Sequence, residues 1–194
     1  MQDNLKKKAE IVQTALNEFG VELNVVQLAA STRSAQEAAA AVGCTLGQIA
    51  KSLVFKGENS QKPILIIASG KNRVNEKVVE AVIKEKLQKA DADFVVEQTG
   101  FSIGGVPPVG HKNPVPIYID QDLMQYEEIW SAAGTPNAVF KLTPKILVEI
   151  TKGKIISIKW PNLDQYLIKK MKKWYKLINL HWREVFFHFW VFFH

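Results

Sequence analysis

The chain has 194 residues, 47% hydrophobic and 23% charged, with a formal charge of +6 and a sequence pI near 9.3. That length suits one globular domain, or one domain with an appendage; the 11 Gly and 8 Pro exclude collagen-like, mucin-like and wholly disordered chains. The charge is uneven: residues 1–158 hold 18 Lys+Arg against 17 Asp+Glu, a net of +1, whereas residues 159–194 hold 7 against 2, a net of +5.

Leu5, Ala9, Val12, Leu16 and Phe19 step by four and three, which predicts an amphipathic helix with Asp3 as its cap and Gly20 as its stop. Val21 to Leu28 reads as a strand. Thr32 or Ser34 then opens an alanine-rich helix, Ala35 to Val42, closed by Gly43. From Thr45 to Phe55 the pattern passes from a short helical turn to a strand, with Lys51 near the junction. Pro63 to Ala68 is a continuous apolar run of strand length, the mark of a strand buried on both faces, and Ser69-Gly70 ends it.

Asn75 caps a helix to about Ile83, and Ala92 to Gln98 forms another. Four Gly and four Pro between Gly100 and Pro116 leave no room for a helix there. Val115 to Ile119, Gln125 to Ser131 and Ala138 to Leu142 read as strands, Thr143-Pro144 as the cap and first residue of a helix to Ile150, and Lys154 to Ile158 as a closing strand. Short strands irregularly interleaved with short helices predict an α+β fold with a mixed sheet rather than a regular βαβ repeat.

Composition changes beyond Trp160-Pro161: the last 35 residues hold four of the five Trp, five of the ten Phe and three of the four His. Domain boundaries are therefore expected at 1–158 and 159–194. Leu163, Leu167, Trp174, Leu177, Ile178, Val185, Phe186 and Phe189 at helix-like intervals, with Lys169, Lys170, Lys172, Lys173 and Lys176 opposite, suggest a basic amphipathic helix. Four readings stay open for it: a membrane surface, RNA phosphates, a protein partner, or an extension with no selected role. His181 and His188 among lipophilic neighbours do not make a metal site.

Several chemistries are absent. Cys44 is alone, so neither an intramolecular disulfide nor a cysteine-based zinc cluster can form, and a cytoplasmic setting is expected. The N-terminus lacks the pattern of a signal peptide, and no apolar run reaches membrane-spanning length. Gly43, Gly47, Lys51 and Ser52 miss the spacing of a phosphate-binding loop. With only His111 in the body, a Ser-His-Asp hydrolase would rest on that one imidazole.

The informative stretch is Gly100-Phe101-Ser102-Ile103-Gly104-Gly105-Val106-Pro107-Pro108-Val109-Gly110-His111. Its glycines allow positive φ and close approach to a ligand, its prolines stiffen the backbone, and its amides could receive a carbonyl oxygen. The alternative is a structural turn without a ligand. Lys51, a single cation in Ile49-Ala50-Lys51-Ser52-Leu53-Val54-Phe55, is either a point charge aimed at a phosphate or a snorkelling surface lysine. Ala132-Ala133-Gly134-Thr135-Pro136-Asn137 alone is a turn between strands.

Together and in this order, Ala50 to Phe55, Gly100 to His111 and Ala133 to Asn137 resemble the YbaK/EbsC family of aminoacyl-tRNA deacylases, related to the editing insertion domain of prolyl-tRNA synthetase. The resemblance covers about residues 5–158. It implies a curved, mixed but mostly antiparallel sheet with flanking helices, and hydrolysis of the ester between a small amino acid and the terminal adenosine of a mischarged tRNA. It implies Lys51 as the key functional residue, with Gly104 and Gly105 beside it as catalytic candidates. Val106, Pro107, Pro108, Gly110, His111, Ser69, Gly134, Thr135 and Asn137 become the substrate-binding candidates. No cofactor or metal is expected; a mischarged tRNA is the expected partner, with a synthetase as a second. The rival reading is a non-catalytic tRNA- or nucleotide-binding module of the same fold, held at a membrane through the tail.

Overall fold

In a computed structural model, the structure describes residues 2–20, 22–29 and 34–160. The chain divides into a compact unit, Met1–Lys159, and a second from Trp160 to His194. The tail helix and its membrane reading fall almost wholly outside the described residues, as do Val21 and Thr32.

Helix α1 (Gln2–Asn17) buries Val12 and Leu16 completely. It begins one residue before Asp3, which therefore lies in the first turn instead of capping it. It also stops at Asn17, so Phe19 falls in the following turn and is 41% exposed rather than joining the apolar stripe. The strand expected over Val21–Leu28 is confined to β1 (Val25–Gln27). Helix α2 (Ala35–Val42) has Ser34 as cap with a full capping box to Glu37, and Gly43 closes it in the left-handed region.

A 3₁₀ turn (Leu46–Gln48) leads into β2 (Ile49–Gly57), which returns antiparallel as β3 (Pro63–Ser69). Every residue of β3 is buried because both faces are covered. Leu65 and Ile67 join the core that holds Val12, Leu16 and Phe140, whereas Ile64, Ile66 and Ala68 pack with Val79 and Ile158 on the other side. Helix α3 (Glu76–Ile83) starts at its Asn75 cap. Strand β4 (Leu87–Lys89) has no apolar alternation and escapes the sequence reading; its pairing with Phe55–Gly57 of β2 makes it a strand.

Helix α4 (Ala92–Thr99) precedes the Gly-Pro loop, which is free of regular structure through Pro116. Strand β5 (Ile117–Asp120) follows, then a 3₁₀ turn (Gln121–Gln125) begun by the Asp120 side chain accepting from the Asp122 amide. That cap delays the next strand, so β6 covers Ile129–Ala132 and not Gln125–Ser131. Strand β7 (Ala138–Leu142), helix α5 (Pro144–Thr151) and β8 (Lys154–Ile156) complete the unit.

The sheet runs β1-β7-β6-β2-β3-β5-β8, with β4 also on β2. Four of its seven pairings are antiparallel, so the sheet is mixed and mostly antiparallel, as expected. One detail positions the site. β3 occupies one edge of β2 from Ala50 to Lys56, leaving β6 and β4 to share the other. β6 pairs only with Ile49–Ala50 and β4 only with Phe55–Gly57. Among the described residues, the edge of β2 from Lys51 to Val54 carries no strand.

Candidate active site

A cleft of about 250 Å3 opens at that gap. One wall is α2 (Ala35, Ala38, Val42), the floor is β2 from Ile49 to Leu53, and β6 supplies Trp130, Ser131 and Ala132. The Gly-Pro loop contributes Ile103, Gly104 and Val106, and the turn after β6 contributes Thr135 and Pro136. Among the described residues, Lys51 is the one charged group in the lining.

The Lys51 ammonium donates to the carbonyl oxygens of Gly70 (3.1 Å) and Asn72 (2.7 Å). It is thus held in place instead of snorkelling. Those carbonyls belong to the segment after β3, which a fully buried carboxylate fixes in turn. Asp120 accepts from the Ser69 amide (3.1 Å) and from Asn72 Nδ2 (2.7 Å). Asn72 Nδ2 also donates to Asp122, which Lys159 pairs. Burial pushes the Lys51 ammonium below the usual lysine range; the charge of Asp120 pulls it back up, and nearby Arg73 pushes it further down.

The loop and the turn form one wall by close backbone packing. A Cβ on Gly105 would lie 2.8 Å from Thr135 Cα and 2.9 Å from its amide nitrogen, so only glycine permits this approach. Gly134 has φ +88° and sits against the Lys8 carbonyl, where a Cβ would be 2.7 Å from the oxygen. The Gly105 amide is already bonded to Ser102 O at 3.0 Å, which makes Gly105 a packing residue in this arrangement.

Of the sequence-derived candidates, Lys51, Gly104, Val106 and Thr135 meet in the cleft. The others stand behind them. Pro107 and Pro108 are buried under the loop, and Gly110 packs against Ala15 of α1. His111 Nε2 is 2.7 Å from Pro107 O, and its ring meets Phe101 edge-on. Burial lowers its pKa and the Pro107 carbonyl opposes that shift; its bond to Pro107 fastens the loop, and it is not among the residues lining the cleft. Ser69 Oγ donates to Gly47 O (2.7 Å). Asn137 Oδ1 accepts from Thr135 Oγ1 (2.8 Å), and the Asn137 carbonyl receives the Leu28 amide (2.7 Å), which locks the turn.

Two cleft residues escape the sequence reading. Ser52 and Ser131 line the cleft, and their hydroxyls are buried without a hydrogen-bond partner. Period-2 alternation supplies the signal that could have found them. Ser52 shares a face with Ala50 and Val54, both in the core, and Ser131 sits opposite Ala50, so each is a hydroxyl on an apolar face. An unpaired buried hydroxyl costs roughly 1–3 kcal/mol, a cost that a water or a ligand bound in the cleft would remove.

A family model, the aminoacyl-tRNA editing domain, matches residues 29–150, which include Lys51, the Gly-Pro loop and the later turn. The chain belongs to this editing-domain family. The chain is 34% identical over 144 residues to the uncharacterized protein YwhH of Bacillus subtilis, covering 74% of this chain and 91% of YwhH. It is 28% identical over 126 residues to EbsC of Enterococcus faecalis, a candidate Cys-tRNA(Pro)/Cys-tRNA(Cys) deacylase, covering 64% of this chain and 76% of EbsC. Among solved structures, a candidate trans-editing enzyme for prolyl-tRNA synthetase superposes with a TM-score of 0.75 at 48% identity, over 79% of this chain and 98% of that one. The resemblance to the YbaK/EbsC family, and the fold it implied, are thereby borne out.

Proposed function

We propose that this editing domain is a freestanding trans-editing hydrolase that cleaves the ester joining a small amino acid to the terminal adenosine of a mischarged tRNA in the cytoplasm. The supporting observation is an anchored ammonium, Lys51, at a cleft of about 250 Å3 whose described lining is otherwise uncharged and includes two hydroxyls with no partner among the described residues. That volume suits a small side chain, and the ammonium suits the anionic or hydroxyl-rich end of the nucleotide.

The chemistry asks little of the protein. Water adds to the ester carbonyl, the bond to the ribose oxygen breaks, and the ribose oxygen leaves with a proton. Holding an activated ester beside its neighbouring ribose hydroxyl supplies proximity, and donors at the cleft wall stabilise the developing oxyanion. Lys51 anchors the acceptor end, Gly104 and Val106 shape the aminoacyl pocket, and Thr135 closes its far wall. In this reading residues 1–158 carry the activity and residues 159–194 are an appendage to it.

A panel of mischarged tRNAs tests the proposal: the full chain releases amino acid from at least one of them, and Lys51→Ala loses about 100-fold or more in kcat/KM. Tight tRNA binding with no turnover across the panel would favour the non-catalytic binding module instead. Undiminished hydrolysis by the variant would remove Lys51 from its role.

A further inference from the structure

A second hollow of about 350 Å3 adjoins the first along the free edge of β2. Lys51, Ser52, Leu53, Ile103 and Val106 line both, so the two form one passage that meets at Lys51. Their chemistry differs. Among the described residues the first hollow has no charged group beyond Lys51, whereas the second adds Arg73 and Lys89 against a single acidic residue, Glu76. Arg73 and Lys89 are exposed, and among the described residues neither takes part in an ion pair.

The topology accounts for this placement. Arg73 follows the segment whose Gly70 and Asn72 carbonyls hold Lys51. Lys89 stands on β4 directly opposite Phe55, beyond the end of the free edge. The edge itself is a further source of contacts. Ile49 O accepts from Gly70 N across the β3 ladder, so alternation turns the backbone groups of Ser52 and Val54 toward the gap.

We propose that this second hollow is the subsite for the sugar-phosphate backbone next to the scissile ester, with Arg73 and Lys89 contacting the phosphates of the last nucleotides of a single-stranded RNA end. The inference rests on the aminoacyl-ester reading of the first hollow. It assigns polarity along the passage: the small uncharged hollow takes the amino acid, Lys51 stands at the junction, and the cationic hollow takes the polyanion. Ile103, 60% exposed and common to both hollows, is the apolar surface at the junction.

The test compares the full chain with the double variant Arg73→Ala/Lys89→Ala on two esters. One is a mischarged tRNA cleaved by the wild type; the other is the same amino acid esterified to adenosine, which has no phosphate. The double variant is expected to lose about tenfold in kcat/KM on the tRNA. Its log–log salt dependence becomes shallower by about 1.4, for two single-strand phosphate contacts. Its rate on the adenosine ester stays at the wild-type value, and Arg73→Lys/Lys89→Arg restores the tRNA rate. Equal losses on both esters, or no loss on the tRNA, overturn the subsite. If the wild type cleaves neither ester, the hydrolase reading falls, and anisotropy with a labelled single-stranded RNA ending in CCA still decides the subsite. Weaker, less salt-sensitive binding by the variant supports it, and unchanged binding refutes it.

Discussion

At the scale of single residues, the cleft is defined by groups whose hydrogen-bond accounts differ. Lys51 is satisfied by two carbonyls, and those carbonyls are positioned through Asp120, which is fully buried. The Ser131 hydroxyl, on a residue 1% exposed, has no hydrogen-bond partner among the described residues. Because no hydrogen bond of this hydroxyl holds the fold, Ser131→Ala separates stability from function. The variant is expected to be as stable as the wild type or more stable by about 1 kcal/mol, because an orphaned hydroxyl is removed. Its kcat/KM on the mischarged substrate is expected to fall several-fold. Urea unfolding and deacylation assays measure the two quantities, and a loss of stability with unchanged activity would make Ser131 purely structural.

His111 gives a pH signature of its own. Burial lowers its folded pKa below the ordinary value near 6.5. Below that value the unfolded chain binds a proton that the folded chain refuses, so folding stability falls with decreasing pH. Between about pH 6.5 and 5, above the range in which carboxylates titrate, wild-type stability is expected to decline, and His111→Gln is expected to show a flatter profile. Denaturant midpoints at several pH values provide the measurement; parallel profiles would contradict the assignment.

At the scale of elements, the cleft is a consequence of strand lengths. β6 meets β2 over two residue pairs and β4 meets it over three, so a strand nine residues long keeps a bare edge between them. The Gly-Pro loop covers this edge only because it can press against the turn after β6 at Gly105. Gly105→Ala places a methyl group 2.8 Å from Thr135 Cα. The expected cost is about 1–3 kcal/mol, with a fall in kcat/KM larger than in Ser131→Ala because both walls of the cleft shift. Thermal unfolding and steady-state kinetics test this, and an unperturbed variant would show that loop and turn move independently.

The elements also show where the sequence was readable. Asn75 and Thr143, and Ser34 as one of two candidates, cap their helices through side-chain hydrogen bonds, a local chemistry that leaves a trace in sequence; Asp91 caps α4 in the same way although it escapes the sequence reading. Buried β3 was legible from its apolar run. By contrast, β4 is Leu-Gln-Lys and owes its strand state to a partner some thirty positions earlier. The start of β6 moved because a side chain from β5 began a 3₁₀ turn first. Hydrogen bonds between distant segments decided both, and no window of sequence contains them.

For the whole molecule, the formal charge of +6 is a poor guide to the site. Residues 1–158 carry a net of +1, and the cations to which the proposed subsite assigns phosphate contacts, Lys51, Arg73 and Lys89, all line one hollow. Three single-strand phosphate contacts correspond to a salt slope of about −2, much shallower than a broad basic face would give. By itself the sequence determined the family, the caps at Asn75 and Thr143 and the buried central strand, and it singled out Lys51 as a candidate, since each rests on neighbouring residues or on an unusual string. Only the tertiary structure placed His111 behind the loop, left Ser52 and Ser131 without partners, and joined two hollows at one lysine. Those facts depend on which strands stop pairing and which distant carbonyls, hydroxyls and charges then face the opening.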